Sequence, residues 1–173
     1  MTASTPSPLG WPDGHAESRT GLPHPDALPL TWSPAVERDM VALCVAAYPG
    51  EGCGFLLGTE QQGIRQISQV IPIDNAASGP DQLRRFTMSP LDFMRAERTA
   101  AREGLQLLGV FHSHPDHLPV PSRHDLEGAM PTLSYPILAI AGRDQPQPRL
   151  AGIQSWQLND HRQFAEENLI HSH

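Results

Sequence analysis

Two Ser-Pro pairs, Ser33-Pro34 and Ser89-Pro90, constrain the layout of this chain more than any other feature. A serine in extended conformation caps a helix start, and proline is pre-shaped for the first helical position, where its missing N–H costs nothing. After the first pair, Val36, Met40, Leu43, Cys44 and Ala47 recur at helical spacing until Pro49-Gly50 closes the element. After the second pair, Asp92 stands where it completes a capping box, and the helix is predicted to reach Glu103 before Gly104 stops it. The segments between and beyond these helices read as strands: residues 52–58 (GCGFLLG), 64–73 across a turn at 59–63, 84–88 after a polar loop at 75–82, 105–113, 135–141 and 150–158. A short helix is expected from Ser122 to about Met130 and a terminal one over 160–170. Strands interleaved with three or four helices predict an α/β fold, a mixed β-sheet flanked by helices.

The first 29 residues stand apart. They hold six prolines among Ser, Thr and Gly and few aliphatic residues, so they bury too little apolar surface to offset chain entropy. Residues 1–29 are therefore expected as a disordered or loosely docked tail, and 30–173 as the domain. Trp11 and Trp32 are read as packing anchors.

Charge narrows the function classes. Twelve basic against 19 acidic residues give a net charge of −7, which argues against a nucleic-acid binder needing a basic face. All 12 basic residues are Arg; with no Lys the chain has no lysine base or Schiff-base former, and codon bias explains the absence most cheaply. Cys44 and Cys53 form neither a disulfide framework nor a CxxC pair. With no basic-then-apolar leader and no apolar run of membrane length, a soluble cytoplasmic protein with reduced thiols is the expectation.

The chemistry lies in GVFHSHPDHLPVPSRHD, residues 109–125. His112 and His114 end a strand two residues apart, so both imidazoles project from one face and can share a metal. Asp125 falls in the first turn of the helix capped by Ser122, where it can turn back towards them. Two His and one carboxylate leave a fourth position for water, the pattern of catalytic rather than structural zinc. Amide hydrolysis also needs a proton carrier, for which Glu51 at the glycine-flanked helix–strand junction is the candidate. The Ser122 hydroxyl can donate to a developing oxyanion, although it is a helix cap in the first place.

Glu51, then His112-Ser113-His114, then seven residues to Ser122 and two more to Asp125, resembles the JAMM motif, E…HxHx7SxxD, of MPN-type zinc metalloproteases. The resemblance covers roughly residues 30–158 with all five positions filled. It implies the curved, partly barrel-like MPN/JAB fold, a Zn2+ ion held by His112, His114 and Asp125, Glu51 as general base and Ser122 supporting the tetrahedral intermediate. It is to the short prokaryotic single-domain members, since there is no room for the two insertions by which eukaryotic relatives select chain linkages. That group implies cleavage after the C-terminal Gly-Gly of ubiquitin-like or sulfur-carrier proteins and their conjugates, at peptide or isopeptide bonds. Nothing in the chain bears on oligomeric state. A zinc amidase releasing an amino acid or small amide from a carrier is the alternative that keeps the metal. A non-catalytic MPN scaffold is the alternative that discards it, and the complete set of five residues argues against that.

Each residue also has a plainer reading. His112 and His114 alone would be partly buried strand histidines, Asp125 a capping carboxylate, and Glu51 a surface acid. Cys53 is read as a small buried hydrophobe rather than a nucleophile, Phe55, Leu56 and Leu57 as core, and His117 and His124 as loop or rim residues. His171 and His173 repeat the HxH spacing at a chain end expected to fray.

Overall fold

A computed structural model describes residues 27–73 and 88–171. The predicted N-terminal tail up to residue 26, the polar loop at 75–82, residues 84–87 of the brief strand, and His173 lie outside them.

Ser33-Pro34 and Ser89-Pro90 each start a helix. In α1 (Pro34–Ala47) Ser33 accepts from the Val36 amide, and Val36, Met40 and Cys44 form the buried stripe. In α2 (Pro90–Glu103) the Ser89–Asp92 capping box has both its hydrogen bonds, and Gly104 caps the other end at φ 69°. The third helix, α3 (Arg123–Gly128), is shorter than expected and is capped by Ser122.

Eight strands form one sheet: β1 (Leu30–Trp32), β2 (Cys53–Gln61), β3 (Ile64–Ile73), β4 (Gln106–Pro115), β5 (Tyr135–Ala141), β6 (Arg149–Leu158), β7 (Phe164–Glu166) and β8 (Leu169–His171). Their order is β7-β6-β5-β4-β2-β3-β1-β8. The β2–β3 hairpin closes on Gln62 and Gly63, both at positive φ, the backbone that matches strand twist in a two-residue turn. β4 and β5 run parallel, as do β1 with β3 and with β8, so the sheet is mixed.

The C-terminal segment corrects the sequence reading: residues 160–170, expected as a helix, supply β7 and β8 instead. Two open sheet edges outweigh the helix propensity of Ala165 to Leu169, since Glu166 pairs with Trp156 of β6 and Leu169 with Leu30 of β1. This placement also fixes the shape. A flat sheet of eight strands would be ~34 Å across at ~4.8 Å per strand. Its two edge strands are joined by only Glu167 and Asn168, a reach of ~11 Å, so the sheet has to curl towards closure. Glu167 stitches the seam. Its carboxylate accepts from Ser134 Oγ and Ser155 Oγ, each at 2.7 Å, and the Arg65 guanidinium donates to Ser134 Oγ at 2.8 Å.

Side-chain alternation covers both faces. α1 packs with Leu56, Ile67, Leu108, Phe111, Leu138 and Ile140 on one face. Phe55, Val110, Ile137 and Trp156 on the other face meet Ala96 of α2, with Leu126 of α3 packed against them. Phe55, Leu56 and Leu57 are fully buried, as the sequence implied, and burial of such side chains contributes about 1.5–3 kcal/mol each. Trp32 is the buried anchor expected of it. No helix among the described residues is long and apolar enough to cross a membrane.

Candidate metal centre

The centre forms where β4 runs out against α3. Strand alternation puts His112 and His114 on the Val110 side of β4, facing the α3 layer, and turns Ser113 the other way. Ser113 extends the pairing to the segment before β2: its amide donates to Gly52 O and its Oγ accepts from the Gly52 amide, both at 2.9 Å. Because Cys53 pairs with His112, this continuation sets Glu51 across from His114 on the same face. Glu51 is only 6% exposed, and its charge is felt by the His114 ring, so it is a buried carboxylate of the site and not an ordinary surface acid.

Asp125 arrives from α3 by the capping box. The Ser122 amide donates to Asp125 Oδ2 at 2.7 Å while Ser122 Oγ accepts from the Asp125 amide at 3.1 Å. So held, Oδ1 lies 3.2 Å from His112 Nε2, Oδ2 lies 3.4 Å from His114 Nε2, and the two Nε2 atoms are 3.1 Å apart. Donors bonded to one tetrahedral ion at ~2.0–2.1 Å stand ~3.3–3.4 Å from each other, so this spacing suits a single small cation. Among the described residues these three are the group of His, Cys, Asp and Glu able to hold one.

Protonation is arranged to match. The Leu118 carbonyl can only accept, so the 2.8 Å contact requires His114 Nδ1–H to donate to it, leaving the Nε2 lone pair for the cluster when the ring is neutral. The loop supplying that carbonyl is pinned by Trp156 Nε1, which donates to Pro119 O at 2.9 Å. Burial holds the His112 ring below its ordinary pKa. Burial also depresses His114, but hydrogen bonding to Asp125, the Asp125 charge, the Leu118 carbonyl and Glu51 outweigh it and raise the ring. For Asp125 burial opposes ionisation, yet the two imidazoles and the Ser122 N–H keep the carboxyl well below the usual range. An ionised carboxylate between two imidazoles is a donor set that could hold a metal ion, whereas three such groups converging in a plain core would be costly.

All five residues singled out in the sequence converge here, with Ser122 at the exposed rim. Cys53 is buried across the ladder from His112. His117 is exposed, His124 half-buried, and neither belongs to the metal-capable group. Neither Leu118, whose contribution is a main-chain carbonyl, nor Trp156 belongs to a sequence motif; a Pro-rich stretch needing an anchor is the signal that points to the latter.

Comparison with known proteins agrees with this geometry. The family of prokaryotic homologues of the JAB domain matches residues 33–159. A probable TtuB-protein conjugate cleaving protease of Thermus thermophilus is 34% identical over 94 residues, covering 54% of this chain and 59% of that protein. A desampylase of Pyrococcus furiosus is 28% identical over 120 residues, covering 69% of this chain and 75% of that protein. Among solved structures, a JAB1/MPN domain protein from Archaeoglobus fulgidus superposes with a TM-score of 0.50 at 16% identity, covering 83% of this chain and 98% of that one, a likeness of fold.

Proposed function

Because the chain belongs to the family of prokaryotic JAB-domain proteins, we propose that it is a zinc-dependent peptidase or isopeptidase cutting after the Gly-Gly end of a ubiquitin-like or sulfur-carrier protein. The observation that carries the reading is the convergence of His112, His114 and Asp125 donors within 4.8 Å, with the buried Glu51 on the same face. His112 Nε2, His114 Nε2 and an Asp125 oxygen would hold the ion. Bound there, Zn2+ would supply Lewis-acid polarisation of the scissile carbonyl and make water more acidic.

The protein's own groups do the rest. Glu51 takes a proton from the attacking water and passes it to the leaving amine as the C–N bond breaks and the C–O bond forms. Ser122 Oγ already accepts from the Asp125 amide, so its hydroxyl proton remains to be donated to the carbonyl oxygen as that atom gains charge. The relatives' names, a probable TtuB-protein conjugate cleaving protease and a desampylase, support a protein conjugate as the substrate. An extended diglycine suits such a site because glycine alone lets a backbone enter a channel with no room for Cβ, with strand-like main-chain pairing beside it.

The test is a panel of carrier fusions ending in Gly-Gly, with Gly-Ala ends as controls, incubated with zinc-loaded protein. Cleavage after Gly-Gly alone is the expected result. Release of a small amide or amino acid from a carrier with the fusions untouched would instead favour the amidase reading.

A further inference from the structure

The strand end that carries His114 and the helix end that leads to Glu51 are tied by one side-chain pair. Tyr48 Oη donates to Asp116 Oδ2 at 2.7 Å, across 68 residues of sequence. Tyr48 lies three residues before Glu51, and Asp116 two residues after His114. The other Asp116 oxygen accepts from the Gly142 and Arg143 amides at 2.8 and 3.0 Å, and the Asp116 amide donates to Ile140 O at 2.8 Å. One carboxylate thus joins three segments: the α1 exit, the β4 exit and the β5–β6 turn.

Two features show that the arrangement is built for this contact. Asp116 sits at φ 55°, a left-handed conformation that aspartate tolerates better than most residues, and here its carboxylate takes three hydrogen bonds. Gly142 lies so close under the Tyr48 ring that any Cβ there would collide with it, so the turn must stay bare for the ring to reach Asp116. A turn needing only to reverse the chain does not require the bare Gly142. The two Gly52–Ser113 hydrogen bonds and the packing of Gly52 on Cys44 tie α1 to β4 on the near side of Glu51 and His114, and the Tyr48–Asp116 pair adds a tie on the far side of both.

We infer that Tyr48 and Asp116 are positioning residues that set the Glu51 segment against the His114 strand end. The inference rests on the peptidase reading for its kinetic arm and on metal binding alone for its other arm. Groups that orient a metal ligand or a base typically contribute about 10–100-fold to affinity or rate. Zinc-loaded Tyr48→Phe should therefore lose about tenfold or more in kcat on a diglycine-ended carrier fusion, with KM within about twofold and zinc affinity unchanged. Asp116→Ala should weaken zinc by about tenfold and alter the visible absorption bands of the cobalt-loaded protein, which report ligand geometry. Asp116→Asn should recover most of both, since its carbonyl still accepts the two amides and its NH2 can donate to the Tyr48 hydroxyl. Wild-type kcat in Tyr48→Phe, or wild-type zinc affinity and cobalt spectrum in Asp116→Ala, overturns the inference; if Asp116→Ala does not fold, a Tyr48→Phe protein with normal kcat still does. Wild-type protein that cuts no diglycine fusion overturns the peptidase reading instead, and the cobalt and zinc measurements then decide the positioning role.

Discussion

Asp125 uses a single carboxylate for two tasks. Oδ2 accepts the Ser122 amide at 2.7 Å, and the pair of oxygens faces His112 and His114 at 3.2 and 3.4 Å. A helix cap and a ligand orientation are thus the same hydrogen bond, so the two residues separate cleanly by mutation. Ser122→Ala keeps the amide that holds Asp125 and removes only the hydroxyl. It should cost about 1 kcal/mol of stability as a lost cap, retain the metal, and lower kcat by about 10²–10³-fold as a lost oxyanion donor. Asp125→Ala should lose the metal. Elemental analysis beside steady-state kinetics checks both, and normal turnover in Ser122→Ala would confine that serine to capping.

Glu51 is buried on the same face as His114 but outside the ligand group. Glu51→Gln preserves its shape and removes its ability to take a proton. The variant should keep its metal and fall to background turnover, whereas His112→Ala should lose metal and turnover together. Full activity in Glu51→Gln would sink the proposed proton path.

Neither thiol is placed to act as a nucleophile. Burial pushes the Cys44 thiol up to about 12, and Cys53 is 2% exposed between the β3 and β4 strands it pairs with. Folded protein treated with iodoacetamide at neutral pH should show no mass increase and no loss of activity, while a chelator abolishes turnover. Inactivation accompanied by alkylation of Cys53 would contradict this assignment.

The contrast between what was legible in the sequence and what was not has a physical basis. His112, His114, Ser122 and Asp125 lie within 14 consecutive residues, where a period of two and a capping box translate spacing directly into geometry. The two long helices were equally readable because their caps are side chains. The 160–170 segment reads as a helix because β7 and β8 are three residues each, too short to show a period, and form where the curled sheet offers two edges. Tyr48 and Asp116 were invisible for a different reason: 68 residues separate them, and neither residue type is unusual in a turn. Leu118 acts through its carbonyl, which every residue has.

The seam of the curled sheet gives the chain a pH dependence of its own, far in sequence from the metal-capable residues. Burial raises Glu167 from an ordinary 4.5 to about 7, against the hydroxyls of Ser155 and Ser134 and the charge of Arg65, which lower it. A carboxyl with a raised folded-state value binds its proton more tightly folded than unfolded. Its contribution is therefore fully present below the unfolded value near 4.5 and is lost as pH rises through about 7. Wild-type protein should accordingly lose stability between about pH 5 and about pH 7 at this position. Glu167→Gln keeps one acceptor and gains donors for hydroxyls that can rotate, and it cannot ionise, so its melting temperature should change less over the same interval. Denaturation curves of both proteins at the two pH values measure the difference. A wild-type drop fully retained in Glu167→Gln would mean that another group titrates and that the seam carboxyl does not carry the pH dependence.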